Sequence, residues 1–172
     1  FFKQKTAYEI KECDWSSDVC SSDLGRLAES PAAMLDDRLR HVPGFTLFRR
    51  TGSRTANPTT QGVSLRGVGA SGASRALVTK DGVPLNDPFG SWVYWGRAVS
   101  ESIAEVEVLR GGGGDLYGAA AVGGVIAVET LRPVNKVYGS LDAAMGTENS
   151  PFVSGFASTS RGRLSSSLAV EL

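Results

Sequence analysis

Glycine constrains this chain more than any other residue. All 21 glycines fall after Leu24, and they repeatedly interrupt short apolar runs. Such a density means many tight turns and close backbone approaches, which suits short strands better than a helical bundle. At 41% hydrophobic and 21% charged, the balance is globular rather than disordered. The formal net charge is zero, so nothing argues for nucleic acid or anionic lipid as a partner. No window carries the roughly 20 apolar residues that a membrane-spanning helix needs. The N-terminus, Phe1-Phe2-Lys3-Gln4-Lys5, lacks the apolar core and cleavage site of a signal peptide.

The composition changes at Leu24. Residues 1–24 hold both cysteines, Cys13 and Cys20, and no glycine. Lys3 to Ile10 and Asp14 to Leu24 resemble the two fixed halves of a translated sequencing adapter, with Ile10 to Cys13 in the place of the index. A segment of that origin is set aside from fold reasoning. The rival reading is a redox or metal pair. It fails on spacing, because Cys13 and Cys20 match neither a C-x-x-C pair nor a zinc knuckle, and two thiols do not complete a four-ligand site.

Beyond Leu24 the pattern is one of short elements. Ser30 to Arg40 reads as a helix, with Ser30 at the N-cap, Pro31 at the first helical position and Pro43-Gly44 as the stop. Met34, Leu35, Leu39 and Val42 share its apolar face. Phe45–Phe48 and Gly62–Arg66 are strands around a polar loop, Arg49–Thr60. Arg75–Lys80 is a strand, and Asp81-Gly82 signals a tight hairpin into Val83-Pro84-Leu85. A long loop, Asn86–Gly96, crowds Phe89, Trp92, Tyr94 and Trp95 beside Asn86 and Asp87. Ser100–Ile103 is a helical turn, and Glu105–Arg110 and Gly124–Thr130 are strands. Gly111–Gly114 is a four-glycine loop between them.

After Pro133 the texture becomes segments of about ten residues, apolar on one face and small-polar on the other. That is the pattern of transmembrane barrel strands. Val137, Leu141 and Met145 define one such face, and Leu164, Leu168, Val170 and Leu172 another. Strands of this kind leave edges unpaired without neighbours, so residues 134–172 are expected to be poorly ordered alone.

No catalytic, metal-ligating or cofactor-binding set emerges. Gly67-Val68-Gly69-Ala70-Ser71-Gly72 is a literal G-x-G-x-x-G. A dinucleotide site needs a helix N-terminus directly after it, whereas Ala76-Leu77-Val78 runs straight into a hairpin. Gly111–Gly114 lacks the Gly-Lys-Ser/Thr of a P-loop. His41, the single histidine, stands at a helix end as a surface or capping residue. The serines Ser64, Ser71 and Ser74 have no nucleophile-elbow pattern. The aromatic loop reads equally as a packed Ω-like loop or a ligand-facing surface.

Five stretches in order resemble the plug of TonB-dependent receptors: Leu35–Gly44; Val63-Ser64-Leu65-Arg66-Gly67; Ala76–Asn86; Ile103–Gly111; and Leu116–Ile126. Thr79-Lys80 departs from the two apolar residues usual in the third. The resemblance implies an α+β fold: a plug of 25–133 with a small mixed β-sheet and short helices, followed over 134–172 by the first antiparallel strands of a transmembrane β-barrel. It implies active uptake across the outer membrane of a scarce nutrient, such as a ferric siderophore (an iron–siderophore complex) or cobalamin. TonB would be the partner, through a TonB box that should precede the plug. It implies that Arg66 and Arg110 lock the plug to barrel glutamates beyond Leu172, where arginine offers bidentate pairing. The substrate-facing loops would supply Arg49, Arg50, Arg54 and Asn57 from the first, and Asn86, Asp87, Phe89, Trp92, Tyr94 and Trp95 from the second. The alternative from another class is a periplasmic or soluble β-rich ligand-binding protein with no transport role.

Overall fold

The computed structural model describes residues 19–23, 30, 32–68, 73–111, 113–146 and 149–172. Three sheets organise them. A five-stranded mixed sheet has the order β1-β6-β7-β4-β5. Its strands are β1 (Val19–Asp23), β4 (Ala76–Lys80), β5 (Val83–Pro84), β6 (Ile103–Arg110) and β7 (Gly124–Thr130). Only β4 and β7 run parallel, with Ala76 opposite Gly124 and Lys80 opposite Val128. A two-stranded sheet pairs β2 (Phe45–Leu47) with β3 (Val63–Leu65). A three-stranded antiparallel sheet joins β8 (Tyr138–Met145), β9 (Pro151–Arg161) and β10 (Leu164–Glu171).

The core follows from alternation. Val78, Val106, Val108, Ile126 and Val128 project from one face of the mixed sheet, and all are fully buried. They pack with Leu35 and Leu39 from the first helix and with Trp95. The opposite face buries a smaller set, Leu77, Ala121 and Val125. Thr79-Lys80 does not spoil β4. Thr79 is buried, and the Lys80 ammonium reaches out to donate to the Arg97 carbonyl at 3.0 Å.

Turn chemistry sets the chain reversals. Asp81 (φ 50°) and Gly82 (φ 79°) both lie in the left-handed region, as a type I′ hairpin turn requires. The Asp81 carboxylate then accepts the backbone N–H of Thr130 at 2.9 Å, tying the hairpin to the end of β7. Gly124 allows a closer approach than any other residue would. A Cβ there would stand 2.3 Å from the Leu109 carbonyl oxygen.

Several expectations need correction. The first helix is short: α1 is Leu35–Arg38, continued by a 3-10 turn over Leu39–His41. Met34 occupies the N-cap without a side-chain bond. The Ser30 hydroxyl is used upstream, accepting from Ala32 N–H at 3.4 Å, and so closes a local turn instead. Pro31 lies outside the described residues, as do Gly69 to Gly72 of the G-x-G-x-x-G. β4 passes directly into the β5 hairpin, as the sequence requires. The fourth glycine of the four-glycine run is not loop: Gly114 opens α2, Gly114–Tyr117. Val63, Ser64 and Leu65 are all buried, and the Ser64 hydroxyl is satisfied by donating to the Val68 carbonyl at 2.8 Å.

Val19–Asp23, set aside by the sequence reading, are paired in register along the outer edge of β6. Edge pairing uses backbone groups and asks little of side chains, so it is available to a segment of foreign origin.

Candidate functional site

Loop Arg49–Thr60 is shaped from within. Arg49 is not a ligand-facing residue. Its guanidinium turns inward, with Nη2 2.5 Å from Asp36 Oδ2 and Nη1 donating to the Thr51 carbonyl at 2.8 Å. Ser53 donates to the other Asp36 oxygen at 2.6 Å. Gln61 Nε2 donates to the carbonyls of Ser53 and Ala56, both at 3.1 Å. Asn57 caps the 3-10 turn Pro58–Thr60, its Oδ1 accepting from Thr59 N–H at 3.0 Å. Arg50 and Arg54 remain on the outside of the loop.

The second loop is stitched to the first, because Val93 N–H donates to the Gln61 carbonyl at 3.1 Å. Its polar residues also serve structure. Asn86 clamps β4: its Oδ1 accepts from Val78 N–H at 2.7 Å, and its Nδ2 donates to the Ala76 carbonyl at 3.1 Å. Asp87 organises the tip, accepting from Gly90 N–H at 2.7 Å, Phe89 N–H at 2.9 Å and the Tyr94 hydroxyl at 3.1 Å. The Gly90 bond leads in holding the Asp87 carboxyl below the usual carboxylate range. Partial desolvation opposes it, and the bonds from Phe89 and Tyr94 support it.

The aromatics divide. Trp95 is fully buried and meets Phe45 edge-on at 6.4 Å, so it is core rather than ligand surface. Tyr94 lies under the Arg97 guanidinium at 4.7 Å. Trp92 folds over Gly90, whose missing Cβ position is 1.7 Å from the indole ring. Phe89 stands at the tip, 98% exposed. Arg50, Arg54, Asn57 and Phe89 are the predicted residues that stand exposed, and Trp92 is half-buried beside them. Arg49 and Trp95 are buried, and with half-buried Asn86, Asp87 and Tyr94 and the Asn57 cap they hold the two loops in shape.

Arg66 and Arg110 converge. The Cβ position of Gly44 lies 3.7 Å from Arg66 Cγ and 3.9 Å from Arg110 Cδ. Arg66 is exposed at the end of β3 with φ 55°, and Arg110 is buried at the end of β6.

The β8–β10 sheet has the polarity of a soluble protein reversed. Its register puts Phe152, Ser154, Phe156 and Ser158 on one face, and all four are buried. The other face carries Leu141, Met145, Leu164, Leu168 and Leu172, each at least 65% exposed. The inner face meets the rest of the chain at two places absent from the sequence reading. Arg54 sits over the Phe152 ring, and the Glu171 carboxyl is held above the usual carboxylate range by burial, with Arg54 and the Ser100 backbone opposing the shift. Asp36, Phe152 and Glu171 were invisible as site residues because no local motif marks them; only long-range packing does.

A mixed-sheet unit beside strands with an outward apolar face is the architecture of a plug and its barrel wall. The model of the TonB-dependent receptor plug domain matches residues 16–125. The chain belongs to that family, which places it in the bacterial outer membrane with the plug inside a barrel. It is 26% identical over 143 residues to the ferric enterobactin receptor PirA of Pseudomonas aeruginosa, covering 77% of this chain and 18% of that protein. It is 38% identical over 102 residues to a hemin receptor of Yersinia pestis, covering 58% and 14%. With the vitamin B12 transporter BtuB of Vibrio vulnificus it shares 30% over 100 residues, covering 58% and 15%. The unliganded ferric citrate transporter FecA superposes with a TM-score of 0.65 at 19% identity, over 90% of this chain and 25% of that one. The chain thus spans about a fifth of the length of the curated relatives it matches.

Proposed function

We propose that the chain is the plug, residues 25–133, and the first wall strands, 134–172, of a TonB-dependent receptor that actively imports a scarce nutrient. Residues 1–24 stand apart from it as adapter-like sequence, and coupling to TonB would run through a TonB box. The reversed polarity of the β8–β10 sheet carries this reading. An apolar face of leucines is stable against lipid and costly against water, while the small-polar face suits a plug-filled lumen. Arg66 and Arg110 lock the plug by pairing with glutamates further along the barrel. The protein is a transporter, not an enzyme.

The nutrient is an anionic ferric siderophore rather than cobalamin, because the surface offered by the two loops combines guanidinium groups (Arg50, Arg54) with aromatic area (Phe89, Trp92). Ferric enterobactin is the probe suggested by the relatives' names. In the full-length receptor, Arg50→Ala combined with Phe89→Ala should weaken its binding by at least about tenfold, as loss of an exposed charge and an aromatic anchor together does. Unchanged affinity in that variant would remove these loops from the ligand site.

A further inference from the structure

Nothing in the fold of loop Arg49–Thr60 calls for arginine at position 54. The loop is shaped by the Asp36–Arg49 pair, by Gln61 and by the Asn57 cap. Yet Arg54 is directed at the wall. Its Cζ lies 5.2 Å from the centroid of the Phe152 ring, inside the range of a cation–π contact. Phe152 is only 5% exposed, on the inner face of β9. Glu171 of β10 stands on that same face, opposite Ser154 and two residues along from Phe152. Burial pushes its carboxyl above the usual carboxylate range, and Arg54, the Ser100 backbone and Arg38, in that order, pull it back down. Asp36, which acts on Glu171 through space, is occupied by Arg49 and Ser53.

We infer that Arg54 is a latch between plug and wall: without ligand its guanidinium fastens the loop to the first barrel strands through Phe152 and Glu171, and an anionic ligand competes with Glu171 for it. The competition rests on the siderophore reading above, but the latch itself does not. Exchange of one carboxylate for an anionic ligand keeps the arginine charge-matched throughout. Binding would thereby detach the loop from the wall, so one event at the surface changes a plug–wall contact.

The test uses the full-length receptor and four proteins: wild type, Arg54→Gln, Glu171→Gln and the double variant. In the ligand-free state each single change should lower the thermal midpoint of the plug by a few degrees, and the double should fall no further than Arg54→Gln alone. Additive shifts would overturn the latch. Phe152→Leu, which keeps an apolar side chain on the inner face, should lower the midpoint less than Arg54→Gln; if it lowers it as far or further, apolar packing rather than the charge holds the loop. With ferric enterobactin as probe, Glu171→Gln should tighten binding severalfold, and the same change in the Arg54→Gln protein should have no effect. An affinity indifferent to Glu171→Gln when Arg54 is present would overturn the competition. Coupled midpoints in a receptor that does not bind ferric enterobactin would support the latch and contradict the siderophore reading.

Discussion

Asp36 and Arg49 form an ion pair that is buried at both ends, with the carboxylate side chain 0% and the guanidinium side chain 4% exposed. One belongs to α1 and the other opens the loop Arg49–Thr60, so the pair fixes that loop against the helix. Arg49 Nε is also buried and has no hydrogen-bond partner, which leaves little margin for losing the carboxylate. Asp36→Ala should therefore destabilise the plug by about 3–5 kcal/mol, the range for stranding one member of a buried pair. Asp36→Leu together with Arg49→Met should recover most of it. Urea unfolding of the plug in the full-length receptor measures both. A single substitution costing under about 1 kcal/mol would mean the pair is solvated.

Gly90→Ala should expel Trp92. The new methyl would coincide with the indole, and the ring must swing outward. Emission from Trp92 should shift to the red relative to the parent, and the shift should vanish when Trp92→Phe is added. An unshifted spectrum would mean that the indole does not rest on Gly90.

Asp87 gives the loop an acid limit. Its folded-state pKa is depressed, so its stabilising contribution is complete above the unfolded value of about 3.9 and is lost as pH falls through the lower, folded value. Tryptophan and tyrosine signals from the loop should be flat from about pH 7 down to about pH 4.5 and change only below the unfolded value. Asp87→Asn should remove that transition. A transition centred near neutrality would contradict the assignment.

Leu168 faces outward on β10. Leu168→Arg should reduce the amount of full-length receptor assembled in the outer membrane, since arginine at the bilayer midplane of a barrel costs about 2–4 kcal/mol. Ser165→Arg, on the inner face of the same strand, should assemble near normally. Equal behaviour of the two would argue against the orientation of the sheet.

Strand identity was legible in the sequence wherever one face is buried and a turn residue ends the run. The Asp81-Gly82 hairpin, the alternation of Val106 and Val108, and Gly124–Thr130 are local signals of this kind. The roles within the two loops were not legible. Arg49 and Trp95 are residue types that contact ligands, but their fate was decided by Asp36 and Phe45, which local spacing does not bring near. Asn86 and Asp87 sit beside the aromatics in sequence, yet Asn86 spends its hydrogen bonds on the backbone of the strand and loop, and Asp87 on the loop backbone and the Tyr94 hydroxyl. The start of α1 falls at Leu35, after an N-cap at Met34 that makes no side-chain bond and that no local signal marks. Strand β1 pairs in register along β6, and edge pairing through backbone groups is not announced by a side-chain pattern.

Energised uptake of a ferric siderophore, as proposed, has one direct test. The direct measurement is accumulation of radiolabelled iron, supplied as ferric enterobactin, by cells whose sole receptor for it is the full-length protein. Accumulation should be abolished by a protonophore or by loss of TonB, with surface binding retained. Accumulation of equal size in cells lacking TonB, or binding with no accumulation in energised cells, would contradict it.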